Sequence, residues 1–315
     1  MRRAIVLMNL GGPDSPAAVR PFLVNLFSDP AIITLPALLR LPLAWLIAQR
    51  RAKIAQDIYD HLGGSSPLLA NTEAQAQALE TLLGGGYRCF IAMRYWHPLT
   101  KETVAAVKAW QPDEIVCLPL YPQFSTTTTG SSIAAWQRES ARQGLDRPIK
   151  IVRNYPTVPG FIGALAGLIG PVVDRATKSG RRIRLLLSAH GLPLKIVRAG
   201  DPYPNQIEAT AAAVVEALDR PDLDWVVCYQ SRVGPLAWLG PTTDDEIRRA
   251  GHDGVSLVVA PISFVSEHSE TLVELDRDYR RLAEEVGVPS YERVPTVGTD
   301  PRFIGALAEL VEAVA

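Results

Sequence analysis

A histidine followed by glycine closes the apolar run RLLLSAHGLP, so His190 stands at the end of what reads as a β-strand. A neutral imidazole there can bind a metal or accept a proton near physiological pH. The ordinary fate of a single histidine, a hydrogen bond to a neighbouring loop, is the alternative. Further along, APISFVSEHSETLVELDRDYRRL holds Glu267, Glu270, Glu274 and Asp278 at intervals of 3, 4 and 4. At helical spacing these form an acidic stripe, with Leu272, Leu275, Tyr279 and Leu282 on an apolar face. A helix dipole favours acids in its first turn, and the later two acids can pair with Arg277, Arg280 and Arg281 on a solvated face. The other reading is a row of carboxylates that relays a hard divalent cation or carries protons away. Spacing supports both.

Three more strand ends carry polar and aromatic residues. AMRYWHP offers Met93, Arg94, Tyr95 and Trp96, LPLYPQFS offers Tyr121, and YQSRVGPLAW offers Gln230, Ser231 and Arg232. Rings that stack and guanidinium groups that grip carboxylates suit a planar conjugated anion. Ordinary packing at sheet ends accounts for Trp96 and Trp238 taken singly. STTTTGSS lacks the lysine of a phosphate loop, and no G-x-G-x-x-G follows a strand. Neither H-E-x-x-H nor C-x-x-C occurs. Nucleotide chemistry and zinc hydrolysis are therefore poorly supported.

The elements that must position these residues are written twice. FIGALAGLI begins at Phe161 and FIGALAELV at Phe303, 142 residues apart. EIVCLPLYPQFS and VSLVVAPISFVS share that offset, aligning Pro119 with Pro261. CFIAMRYWHP pairs with WVVCYQSRVGP through Pro98 and Pro235, and IKIVRNYPT with YERVPT through Pro156 and Pro295. AIVLMNLGGP pairs with RLLLSAHGLP through Pro13 and Pro193. Each half thus has four short apolar runs, each ending in Pro or Gly and leading into helical periodicity. Helices are expected at residues 71–83, 206–218 and 269–286.

Continuous apolar strands alternating with helices imply parallel strands covered on both faces. The expected fold is α/β, with two similar Rossmann-like, doubly wound domains, each a four-stranded parallel sheet flanked by helices. The expected boundaries are 1–155 and 156–315, the last helix being able to pack back on the first domain. Ligands of such sheets bind outside the carboxyl ends of the strands, which is where the residues above lie. Pro13 and Pro98 are 85 residues apart but Pro193 and Pro235 only 42, so the first half carries roughly forty extra residues, at about 20–66. These include AIITLPALLRLPLAWLIA, residues 31–48, and QRRAKIAQDIYDHLGGSSP. An apolar insertion beside the crest suits a flat, oily ligand. A capping hairpin that buries its own leucines would have the same composition.

The 315 residues are 47% hydrophobic and 21% charged, which suits globular domains and excludes a disordered or fibrous chain. A formal net charge of -1 argues against a nucleic-acid binder. Cys89, Cys117 and Cys228 sit singly in apolar runs, as buried small side chains of a reducing compartment. Three cysteines cannot hold a four-cysteine iron–sulfur cluster. No signal peptide precedes the first strand. Residues 31–48 are about long enough to span a bilayer, but Pro36, Arg40 and Pro42 supply two helix breakers and a costly charge. The chain reads as soluble and cytoplasmic.

LMNLGGP, GGSSPL, MRYWHPLT, LYPQFSTTTTGSS, SAHGLP, YQSRVGPLAWL and SFVSEHSETLVELD follow one another along the whole chain. In these motifs and their order the sequence resembles the ferrochelatases, lyases that insert ferrous iron into a porphyrin to make haem. The resemblance implies two Rossmann-like domains with the porphyrin in the cleft between them, and protoporphyrin IX and Fe2+ as substrates, with two protons released. It implies His190 and Glu270 as the catalytic and metal-site pair. Glu267, His268, Glu274 and Asp278 would extend a path for protons or metal behind that pair. Arg51, Tyr59 and Ser66 match porphyrin contacts, and Arg94 and Tyr95 match residues of the cleft wall.

Residues 31–48 resemble the family's apolar lip, which in some members touches the membrane. The expected location is therefore cytoplasmic, with peripheral contact at the inner membrane face. Fe2+ is a substrate, and no tightly bound cofactor is expected. Some members carry a cysteine-rich C-terminal extension with a [2Fe–2S] cluster; this sequence stops at Ala315 without one, and no cluster is predicted. Leu10 stands in NLGGP where other members have Met or Tyr, and leucine cannot ligate a metal. Which of His190 and Glu270 delivers iron and which takes protons stays open. So do a coproporphyrin III ferrochelatase, another tetrapyrrole chelatase, and a non-enzymatic tetrapyrrole carrier. The His190–Glu270 pair argues against the carrier, and the apolar lip favours protoporphyrin.

Overall fold

Strands that are apolar on both faces need cover on both faces, and these runs obtain it as parallel sheets between helices. The computed structural model describes residues 1–178, 180–234 and 236–314. The first sheet comprises β1 (Arg3–Asn9), β2 (Tyr87–Met93), β3 (Glu114–Pro119) and β4 (Ile149–Ile151). The second comprises β5 (Ile183–His190), β6 (Asp224–Gln230), β7 (Ser256–Pro261) and β8 (Tyr291–Arg293). Their orders, β2-β1-β3-β4 and β6-β5-β7-β8, are one arrangement used twice, with every pairing parallel. The chain divides into two compact units, Met1–Asn154 joined by the chain from Leu307 onward, and Tyr155–Ala306.

The register makes the duplication quantitative. β1 runs against β3 as far as Met8 opposite Pro119, and β5 against β7 as far as Ser188 opposite Pro261. Leu120 N–H then donates to Met8 O at 2.8 Å, and Ile262 N–H to Ser188 O at 2.9 Å. Met8 and Ser188 are therefore equivalent, and two residues on so are Leu10 and His190. The two-sheet architecture expected from the aligned prolines is observed; Pro235 lies outside the described residues.

In the first unit, β1 and β2 are joined through α1 (Val19–Phe27), α2 (Ala37–Asp60) and α3 (Leu68–Leu83). α4 (Thr100–Trp110) leads to β3, and α5 (Ser131–Gln143) to β4. Val6, Met8, Phe90, Ile115 and Cys117 pack on Val104 and Val107 of α4 and Trp136 of α5. The second unit begins with α6 (Pro159–Thr177), which carries the first FIGALA segment. It continues with α7 (Leu194–Arg198) and α8 (Tyr203–Leu218) between β5 and β6, and α9 (Thr243–Asp253) before β7. After β7 comes α10 (Tyr279–Glu285); α11 (Pro301–Val314), with the second FIGALA, ends the chain. Leu186, Cys228, Leu257 and Val259 pack on Ile247 and Ala250 of α9 and on Leu275, Tyr279 and Ala283. Cys117 and Cys228 are core residues as expected, whereas Cys89 is only half-buried.

Two local expectations are corrected. The spacing of residues 269–286 predicts one regular helix. Instead Glu270–Asp278 is π-helical and only then continues as α10. The wider turn, whose bonds run from i to i+5, changes the buried face: Val273 joins Leu275 and Tyr279 in the interior, and Leu272 is only partly covered. A second π-helical segment, Thr126–Gly130, lies at the equivalent place between β3 and α5.

In the insertion, Pro36 precedes α2, but Pro42 lies inside it without ending it. Nor are its leucines buried. Leu38 is 89% exposed, Leu39 61%, and Leu41, Trp45 and Leu46 are exposed as well. What α2 buries is Ala44, Ala48 and Tyr59; the latter two join a cluster with Val19, Phe22 and Leu23 of α1 and with Tyr95. No helix among the described residues is long and apolar enough to cross a membrane.

Candidate functional site

β5 delivers His190 to the crest of the second sheet, opposite Gln230. The chain must then turn in a narrow space: a Cβ on Gly191 would lie 2.9 Å from Gln230 O and 3.2 Å from the Trp238 ring. Both main-chain groups of His190 are tied, its N–H to Ser263 Oγ at 3.1 Å and its carbonyl to Tyr203 OH at 3.0 Å. Its Nδ1 lies 2.5 Å from Gly191 O. A carbonyl only accepts, so Nδ1 carries a hydrogen, and Nε2 is the ring nitrogen with the lone pair whenever the imidazole is neutral. His268 repeats the arrangement, with Nδ1 donating to Ser266 O at 3.1 Å.

The two Nε2 atoms face one carboxylate. His190 Nε2 is 3.7 Å from Glu270 Oε2, and His268 Nε2 is 3.9 Å from it. Phe264 backs both imidazoles, its ring centroid 6.5 Å from that of His190 and 4.6 Å from that of His268. Lone pairs turned towards a carboxylate are stabilised by a cation between them, whether proton or metal. The 3.7 Å separation fits one metal ion bound by both partners at about 2.1 Å. Among the described residues no three His, Cys, Asp or Glu side chains form a metal cage. A site of two such partners alone would be open, so that an ion held there could leave.

Ser231, just past β6, organises the acids behind this pair. It adopts a left-handed conformation with φ 62, a strained choice for a residue with a side chain. Its N–H donates to Glu274 Oε1 at 2.9 Å, and its hydroxyl reaches both Glu270 Oε2, at 3.2 Å, and Glu274 Oε2. Gln230 Nε2 adds a bond to Glu274 Oε2 at 3.4 Å. Tyr279 OH donates to Glu274 Oε1 at 3.0 Å, a contact between residues five apart that the π-helical turn brings onto one face. Burial raises the pKa of Glu274, and the charge of Glu270 raises it further. Burial lowers the pKa of His268 despite the attraction of Glu270.

The rest of the stripe divides. Asp278 lines a cavity of about 340 Å³ together with Ser231, Arg232, Asp244, Glu274 and Tyr279. Glu267 pairs with Arg293, whose Nη1 lies 2.9 and 3.2 Å from its two oxygens, and accepts Thr296 N–H at 3.0 Å. Burial would raise its pKa, but Thr271, Arg293 and Thr296 together hold it below the usual value. Arg280 and Arg281 pair with Asp276 and Glu285, not with the stripe. The contacts thus join His190, His268, Glu270 and Glu274, Asp278 shares a cavity lining with Glu274, and Glu267 is fixed by β8.

In the first unit, Arg94 and Tyr95 continue β2, their N–H groups donating to Asn9 O and Leu10 O at 2.8 and 2.9 Å. Tyr95, expected on a cleft wall, is only 1% exposed, and its hydroxyl donates to Asp29 Oδ2 at 2.8 Å. Its ring supports the crest from within. Arg94 Nη2 is 2.7 Å from the same oxygen. Ser66 lies against the first glycine turn, its N–H on Pro13 O at 2.7 Å and its side chain where any Cβ on Gly12 would sit. Tyr59 is buried and Arg51 half-buried on α2. From the sequence, Ser231 is only one of several strand-end residues, with no role of its own, and Asp29 is not singled out. The only signal for Ser231 was its place at a strand end, and Asp29 gave none.

The family model described as ferrochelatase matches residues 2–315. A ferrochelatase of Caulobacter vibrioides is 58% identical over 313 residues, covering 98% of this chain and 89% of that protein. The ferrochelatase of Pelagibacter ubique is 46% identical over 316 residues, covering 99% and 91%. Among solved structures, SirB from Bacillus subtilis with Fe3+ superposes with a TM-score of 0.56 at 12% identity, across 100% of this chain and 96% of that one. The sirohydrochlorin chelatase SirB of subspecies spizizenii, in complex with cobalt, gives 0.57 at 13%, with the same coverage. At such low identity these two speak for the fold alone. The full-length family match and the close relatives speak for descent, and by them the chain belongs to the ferrochelatase family.

Proposed function

We propose that the chain is a lyase of haem biosynthesis that inserts ferrous iron into protoporphyrin IX and releases two protons. The observation that carries this reading is the approach of His190 Nε2 to Glu270 Oε2, 3.7 Å, at the crest of the second sheet. A porphyrin holds two pyrrole N–H protons that must leave as the dication enters. Bending the macrocycle turns its nitrogen lone pairs towards the metal, at a strain cost met by binding. His190 Nε2 is placed to take a proton or ligate iron, and Glu270 to do the same from the other side. Glu270, Ser231 and Glu274 form a hydrogen-bonded line for a departing proton, with His268 beside it and Asp278 beyond. Glu267, bound to Arg293, stands three residues before Glu270 in the same acidic stripe.

On the first unit, Arg94 keeps guanidinium N–H groups beyond those used by Asp29 and Ser131, and these suit a substrate carboxylate. Arg51, Tyr59, Ser66 and Tyr95 shape the same side. The exposed leucines and Trp45 of α2 support peripheral contact with the inner face of the membrane from the cytoplasm. Iron is a substrate here, and this chain's cysteines are poor cluster ligands: burial pushes the Cys228 thiol up to about 12 and raises Cys117 as well.

The test is an anaerobic insertion assay with ferrous iron against protoporphyrin IX and coproporphyrin III side by side, on the wild type and His190→Ala. Insertion into protoporphyrin IX is expected to be the faster. His190→Ala should lose roughly a thousandfold or more in rate while binding porphyrin nearly as well. Full activity of that variant defeats the assignment. Tight porphyrin binding by a wild type that inserts into neither porphyrin favours the carrier.

A further inference from the structure

A single buried carboxylate gathers three distant segments of the first unit. Asp29 follows α1 and is only 4% exposed. Its Oδ1 accepts Ala31 N–H at 2.9 Å, which turns the chain towards α2. Its Oδ2 accepts from Arg94 Nη2 at 2.7 Å, from Tyr95 OH at 2.8 Å and from Ser131 Oγ at the head of α5. Arg94 Nε also reaches Ser131 Oγ, at 2.7 Å, and the guanidinium lies 5.0 Å from the centroid of the Tyr95 ring. One turn before Asp29, Asn25 Nδ2 donates to Tyr95 O at 3.0 Å. The Arg94–Tyr95 pair is thus held through its main chain by Asn25 and through both side chains by Asp29.

The chemistry of this cluster is specific. A buried carboxylate needs a cationic partner, and Arg94 is that partner. An arginine alone samples many rotamers; one bonded at both Nε and Nη2 is fixed in one. The entropy of fixing it is then lost on folding, not on ligand binding. The edge of the guanidinium not used by Asp29 and Ser131 stays available at the crest. We infer that Asp29 is a positioning residue for porphyrin binding, acting through Arg94 by holding its guanidinium in the binding orientation at the crest of the first sheet. This rests on the proposed role of Arg94 as a porphyrin contact.

Protoporphyrin IX is titrated by fluorescence into the full chain as wild type, Asp29→Asn, Arg94→Gln, the double variant and Ser131→Ala. KM is measured separately for porphyrin and for ferrous iron. Asp29→Asn is expected to raise both Kd and KM for porphyrin about tenfold, with KM for iron and kcat within about twofold of wild type. The double variant should bind no more weakly than Arg94→Gln alone, because Asp29 acts only through Arg94. Ser131→Ala, a smaller loss, should raise the porphyrin Kd about threefold. Wild-type affinity in Asp29→Asn beside weakened Arg94→Gln, or losses that multiply in the double variant, would overturn the inference alone. Wild-type affinity in Arg94→Gln removes the porphyrin role of Arg94 and this inference with it. If Asp29→Asn does not fold, Ser131→Ala decides, and an unchanged affinity there also overturns it.

Discussion

Two carboxylates do the same mechanical work in the two halves and differ in what surrounds their charge. Asn9 pairs with Met93 and Ala189 with Tyr229, so Arg94 and Tyr95 are equivalent to Gln230 and Ser231. Asp29 ties Arg94 and Tyr95 to the start of α5, and Glu274 ties Gln230 and Ser231 to the π-helical turn before α10. Gln230 stands where Arg94 would be, so the groups that donate to Glu274 are neutral. Burial alone would raise both carboxyls. Ser131, Ala31 N–H, the Arg94 charge and Tyr95 bring Asp29 below its ordinary value, whereas Glu274 stays above its own beside Glu270. A carboxylate neutralised by arginine is a strut; one met by neutral donors can hold a proton. The equivalent residues at the ends of β1 and β5 make the same contrast, Leu10 packing against the cluster of α1 and α2 while His190 faces Glu270.

The largest effect that can undo this contrast is on stability at neutral pH. Asp29→Asn leaves Arg94 without its counter-charge and should cost about 2–3 kcal/mol. Glu274→Gln keeps one acceptor oxygen for Ser231 N–H and Tyr279 OH, lets its amide donate to Ser231 Oγ and removes repulsion from Glu270, so it should cost less than about 1 kcal/mol or stabilise. Denaturant midpoints of the metal-free protein measure both. Equal losses would mean that the two carboxylates are the same kind of strut. A smaller effect belongs to Ser231. Replacing it by glycine relieves the left-handed strain and replacing it by alanine retains it, while both delete the hydroxyl between the acids. Ser231→Gly should be the more stable by about 1 kcal/mol, with insertion slowed alike in both. A wild-type rate in either would take the hydroxyl out of the proton line.

Much of the scaffold could be read from the residues because its signals are local. Apolar runs ending at Pro119 and Pro261 mark strand ends, and a single offset of 142 shows that they correspond. His190 at the end of β5 needed no more than that. The π-helical turn was hidden because intervals of 3, 4 and 4 fit an α-helix equally well, and only the backbone shows that Glu274 lies over Tyr279. Asp29 was hidden because its partners Tyr95 and Ser131 lie 66 and 102 residues away. The leucines of residues 31–48 give no direction from composition: the same side chains fit a buried hairpin and an outward-facing helix.

The smallest effect separates the two carboxylates by the sign of their pH dependence. Asp29 has a folded pKa below its ordinary 3.8, so it contributes stability that is full above that value and is lost as pH falls through the folded pKa. Glu274 has a folded pKa above its ordinary 4.5, so its contribution is full below that value and is lost as pH rises through the folded pKa. On acidification of metal-free protein, the advantage of wild type over Asp29→Asn should therefore shrink below about pH 3.8. The balance between wild type and Glu274→Gln should move in favour of wild type as pH falls towards about 4.5. Urea midpoints of the three proteins across that range give the signs of the two slopes. Opposite slopes follow only if the partners of each carboxylate set its proton affinity. Parallel curves would mean that folding leaves both affinities unchanged, and the distinction between strut and proton holder would then have no thermodynamic basis.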